Sequence, residues 1–61
     1  MPVRAVPAIR RILGESPGTR VEYVGAIAPE SVFLSAQGPE QVLFVNPVHR
    51  ELVETLTQAR S

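Results

Sequence analysis

The sequence predicts an α+β fold in which a helix, a three-stranded antiparallel meander and a second helix follow one another (α-β-β-β-α), with the helices packed mainly on one sheet face. Three observations lead there. A short phrase occurs twice, ten residues apart, as Ala28-Pro29-Glu30-Ser31-Val32-Phe33-Leu34 and Gly38-Pro39-Glu40-Gln41-Val42-Leu43-Phe44. Each copy joins a Pro-led turn to a run of strand-favouring apolar residues. Before it, Val6, Ile9, Ile12 and Leu13 recur at helical spacing, and after it so do Val48, Leu52, Leu56 and Ala59. Thr19 to Ala28 alternates instead, which is the two-residue period of a strand.

The first helix spans Val3 to Leu13. Pro7 is tolerated only in a first turn, where its missing N–H costs nothing, so the regular helix should begin near Val6. Gly14 is the expected stop. The connection Gly14-Glu15-Ser16-Pro17-Gly18-Thr19 is rich in turn formers. Its glycines do not make a phosphate loop, which needs four residues between them and then lysine. Here there are three, followed by Thr19 and Arg20.

In the strand from Thr19 to Ala28, Val21, Tyr23, Gly25 and Ile27 point one way and Arg20, Glu22, Val24 and Ala26 the other. A two-residue turn at Pro29-Glu30 then pairs Ile27 with Val32, Gly25 with Leu34 and Tyr23 with Ala36. Gly25 opposite Leu34 would leave room for a helix to approach closely. A following turn centred on Gly38-Pro39 or on Pro39-Glu40 preserves the facing; a three-residue loop would reverse it. The rich face is then Val21, Tyr23, Ile27, Val32, Leu34, Ala36, Leu43 and Val45. The other face carries Val24, Ala26, Phe33, Val42 and Phe44, rimmed by Glu22, Ser35 and Gln37. In the last helix Asn46 is the N-cap and Pro47 the first helical residue. Val53 lies beside the apolar stripe, while Arg50, Glu51, Glu54 and Gln58 face water.

The 61 residues are read as a single small domain of globular composition, 44% apolar and 20% charged. At this size conformational entropy nearly offsets the hydrophobic gain, and a further staple is expected. Cysteine is absent and histidine occurs once, so disulfides and structural zinc do not supply it. Oligomerisation is the expected staple, although some domains of this length fold alone. All six basic residues are Arg and all six acidic ones Glu; GC-rich coding explains the arginine. With one Met, six Pro and no Cys, the composition also fits a thermophilic source. No apolar run approaches the roughly 18 residues that span a bilayer, and the N-terminus lacks a signal-peptide core. A cytoplasmic protein with no membrane contact is expected.

No catalytic, cofactor-binding or metal-binding residues are assigned. His49 lacks a carboxylate placed to orient it, because Glu51 lies on another side of the helix. Glu51 and Glu54 read as a solvated face. Ser16 stands in Gly14-Glu15-Ser16-Pro17-Gly18, but between a helix and a strand rather than on the strand-to-helix turn that a nucleophile elbow requires. The expectation is therefore no enzyme and no cofactor. Four arginines and Glu15 give the first twenty residues a net charge of +3, so Arg4, Arg10 and Arg11 are the candidate nucleic-acid contacts. A solvated helix accounts for them more simply.

The element order resembles that of the double-stranded-RNA-binding domain. Gly38-Pro39 looks like that family's Gly-Pro loop, although it follows the second strand rather than the first. Its lysine cluster should fall at Pro47 to Glu51, where this chain has Pro-Val-His-Arg-Glu. The resemblance thus implies the fold and argues against RNA binding, since the phosphate clamp is missing. Phe33 and Phe44 on the poorer sheet face also suggest base stacking, but that face offers one arginine, Arg20. With both helices on the rich face, Val24, Ala26, Phe33, Val42 and Phe44 are the expected interface of a homo-oligomer, most simply a dimer, or of a protein partner; the alternative is one helix on each face and a monomer. The function read from the sequence is a small non-enzymatic structural or interaction protein, with a nucleic-acid accessory role as the alternative and a small enzyme third.

Overall fold

The computed structural model describes residues 4–59. The elements are α1 (Ala5–Glu15), β1 (Arg20–Tyr23), β2 (Val32–Ser35), β3 (Val42–Val45), a 3₁₀ turn (Pro47–His49) and α2 (Arg50–Ala59). Two helices and three strands follow one another in the expected order, with β1 shorter than expected, and the class is α+β. Val3, the expected first residue of α1, and the side chain of Ala59, expected in the α2 stripe, lie outside what is described.

The meander is not formed. The strand order is β1-β3-β2, with β1 parallel to β3 and β2 antiparallel to it. The anticipated hairpin between β1 and β2, pairing Ile27 with Val32, Gly25 with Leu34 and Tyr23 with Ala36, is replaced by Val21↔Leu43 and Tyr23↔Val45. The cause is a second turn ahead of the expected one. The Ile27 N–H bonds the Val24 carbonyl at 3.1 Å, and the Ser31 N–H bonds the Ala28 carbonyl at 3.0 Å. Pro29-Glu30 does sit at the centre of a turn. The earlier turn through Gly25-Ala26, however, ends β1 at Tyr23 rather than at Ala28. Two successive turns carry the chain over the end of β3 instead of back along β1. Gly25 lies in that exposed turn with open space around it, so no helix approaches there. The likeness to the double-stranded-RNA-binding layout therefore ends at the order of elements.

The β2–β3 register is Val32↔Val45, Phe33↔Phe44, Leu34↔Leu43 and Ser35↔Val42. It is the one centred on Gly38-Pro39, reached through a longer connection than a two-residue turn. Gly38 has φ 66, a left-handed conformation that suits glycine. Strand order changed but facing did not. Val21, Tyr23, Val32, Leu34, Leu43 and Val45 still share one face, because alternation within each strand is local. Ile27 and Ala36, assigned to that face, lie outside the strands.

Both helices cover this face. The core unites Ala5, Ile9 and Leu13 of α1, Val53 of α2, and Leu43 and Val45 of β3. Ile12, Val21, Tyr23, Val32, Leu52 and Leu56 pack partly against it. The buried stripe of α1 has a four-residue spacing, so its centre falls on Ala5-Ile9-Leu13, with Val6 and Ile12 half-buried at its sides. Gly14 does not stop the helix. Glu15 is still helical, and the Ser16 N–H closes it on the Ile12 carbonyl at 2.8 Å. In the last helix the stripe centres on Val53, while Val48 is 66% exposed. Val48 belongs to the 3₁₀ turn, whose three-residue period rotates it off the α-helical stripe.

Candidate interaction surface

The side of the sheet away from the helices is built by the outward residues of three short strands: Arg20 and Glu22 of β1, Val42 and Phe44 of β3, and Phe33 and Ser35 of β2. Register sets Phe33 directly across from Phe44. Their ring centroids are 6.0 Å apart with planes at 64°, the edge-to-face arrangement that the aromatic quadrupole favours. Phe33 is 63% exposed and Phe44 half-buried. Val42 is buried on the central strand between Arg20 and Ser35.

Of the five residues expected at this face, Phe33, Val42 and Phe44 are brought together. Val24 and Ala26 are not part of it, because β1 ends before them. The Val24 N–H still bonds the Val45 carbonyl at 2.8 Å, which leaves Val24 half-buried, whereas Ala26 is exposed in the turn. The β1 margin is charged. Arg20 contacts Glu22 at 2.8 Å and Glu40 at 3.3 Å, all three well exposed. Such solvated pairs contribute little stability, about 0–1 kcal/mol. They do make a polar rim beside the aromatic pair.

The helical side has a different chemistry. Arg50 places its guanidinium 4.3 Å from the centroid of the Tyr23 ring, a cation–π contact. Burial raises the Tyr23 hydroxyl pKa above its usual 10.0, opposed by Arg50 and reinforced by Glu54. A raised folded-state value means that the contribution of Tyr23 is complete below the unfolded pKa and is lost as pH climbs through the folded one. Stability is therefore expected to fall above about pH 10, with a later tyrosinate absorbance transition in the folded than in the unfolded chain. As the only tyrosine, Tyr23 gives an unambiguous signal. Tyr23→Phe should flatten this alkaline dependence; an unchanged profile would reject the assignment.

His49 is half-buried and hydrogen-bonds the Pro29 carbonyl through Nε2. The Asn46 amide donates to the Ile27 carbonyl at 2.8 Å, and its oxygen accepts from the Val48 N–H at 2.8 Å. The capping role was legible; the two ties to the crossing segment were not, since residues 27 and 29 are distant in sequence. Glu51 and Glu54 are exposed on α2. Among the described residues no three His, Asp or Glu side chains group as metal ligands, and no helix is long and apolar enough to cross a membrane. Arg10 and Arg11 are exposed on α1, away from its buried stripe, and Arg4 is exposed at its N-cap.

The class these features define is a two-layer α+β protein with two helices on one side of a small mixed sheet and an aromatic pair on the other. No family model, curated protein or solved structure matches the chain.

Proposed function

We propose that this chain is a small non-enzymatic interaction protein that self-associates through the open face of its sheet. The observation that carries the reading is Phe33, more than half exposed, packed edge-on against Phe44 where neither helix reaches. Fully burying one phenylalanine is worth about 1.5–3 kcal/mol. A two-fold contact gains that term twice, which matters to a domain whose core rests on a handful of aliphatic side chains. The aromatic centre with an Arg20-Glu22-Glu40 margin also has the apolar-core, polar-rim layout of protein interfaces. A cysteine-free chain suits cytoplasmic residence. Arg4, Arg10 and Arg11 form the weaker, nucleic-acid reading. Two cations on one helix and a third at its N-cap, in a chain of zero net charge, make a small electrostatic footprint.

Light scattering on Phe44→Glu and Phe33→Glu tests the proposal. Both charges fall on the open face and outside the helix-covered core, so each variant is expected to fold and to show a lower solution mass than the parent. A parent chain that is monomeric at high concentration, or variants that assemble unchanged, would sink it.

A further inference from the structure

The two edges of the sheet differ. The edge formed by β1 is guarded by Arg20 and Glu22 and by their ion pairs. The edge formed by β2 is Val32-Phe33-Leu34-Ser35, with no charge and no proline. Phe33 is 63% exposed on the open face, and Leu34, its neighbour in the strand, is 43% exposed on the helix side. Only β3 pairs with β2, so the outer N–H and C=O groups of β2 meet no other strand among the described residues. Soluble proteins normally blunt such an edge with charge, proline or a bulge. Here apolar side chains are exposed above and below it.

Resting on the reading that the chain self-associates, we infer that β2 pairs antiparallel with β2 of a second copy, across a two-fold axis normal to the sheet, to make one six-stranded sheet. Self-complementarity identifies the occupant. Rotation about that axis keeps each face on its own side, so only registers that pair residues of like facing are allowed. Centring the axis on Phe33 sets Phe33 against its own counterpart and Val32 against Leu34 twice. All three pairs are apolar, and no like charges oppose. Centring it on Leu34 would waste Phe33 on Ser35. The joined sheet also aligns four rings, Phe44-Phe33-Phe33-Phe44, on its open face. The aromatic patch of one chain becomes a band twice as long, ready for the face contact proposed above. Edge and face contacts together build a four-chain assembly.

Leu34→Lys tests the edge alone, because Leu34 points away from the open face; Phe44→Glu tests the face alone. At concentrations where the parent is fully assembled, Leu34→Lys is expected to halve the solution mass. Amide exchange on the parent chain supplies a second readout that needs no variant. The outward N–H groups of β2 should gain protection as concentration rises. Unchanged exchange at β2 across the assembly range, or full assembly of Leu34→Lys, overturns edge pairing. If Phe44→Glu alone disassembles, the face reading stands and the edge falls. If Leu34→Lys alone disassembles, the reverse holds. A parent that stays monomeric at millimolar concentration removes both.

Discussion

Leu43→Ala is expected to cost about 3 kcal/mol of stability, within the 2–5 kcal/mol span for truncating a buried leucine. Leu43 is fully buried on the central strand, flanked by Val21 and Leu34 in the sheet and clustered with Ile9, Leu13 and Val53 from both helices. No one of these elements can move to fill the space without losing its own contacts. At roughly 0.05–0.15 kcal/mol per residue, a domain of this length has about 3–9 kcal/mol in total. The substitution therefore removes a third of the stability or all of it. Urea or thermal unfolding reads the effect directly. The informative comparison is Leu34→Ala, on the same face but at the exposed edge, for which a loss below about 1.5 kcal/mol is expected. An antiparallel meander would make β2 the central strand and reverse the ranking. Equal or inverted costs would thus count against the β1-β3-β2 order itself.

Asn46→Ala should carry the next largest effect, about 2 kcal/mol. One part is the lost cap, worth about 1 kcal/mol because the Val48 N–H at the start of the terminal helix loses its acceptor. The other is the bond from the Asn46 amide to the Ile27 carbonyl, a further ~1 kcal/mol for a neutral hydrogen bond. Asn46→Ser separates them. A serine hydroxyl still caps but is too short to span to the crossing segment, so about half of the loss is expected. Both variants should speed amide exchange or proteolysis between Val24 and Ser31, since His49 to Pro29 is then the remaining side-chain hydrogen bond to this segment among the described residues. If serine matches the parent on every count, the Ile27 bond contributes nothing.

The crossing segment is where the reading of the sequence and the fold part company. Pro29-Glu30 marked a turn correctly, and the periodicity of Thr19 to Tyr23 marked a strand. The alternation runs on through Val24-Gly25-Ala26-Ile27, yet these four residues fold into a turn of their own. A signal for the true order was present. Val42-Leu43-Phe44-Val45 is uninterrupted and apolar, as befits a strand flanked on both sides, whereas Arg20 and Glu22 interrupt β1 as befits an edge. Of the five residues expected on the open face, Phe33 and Phe44 are still set opposite each other. Phe33 and Phe44 are opposed in any register that keeps like facing and centres on Gly38-Pro39, whichever strand lies on the far side of β3. Val24 and Ala26 did not survive, because their place depended on the length of β1.

Sequence alone determined the class, the order of elements, the alternation of facing within each strand and the cap at Asn46. All of these follow from interactions among residues a few positions apart: the two- and 3.6-residue periods, a side chain reaching its own helix start, a proline fixing a turn. Strand order, the exposed β2 edge and the clasp of Asn46 and His49 on the crossing segment were decided only in the tertiary structure. A strand with two apolar faces satisfies its backbone equally well beside either neighbour. What selects between them is how much of β3 can be enclosed at once under two helices, a sum over distant residues that no local pattern contains.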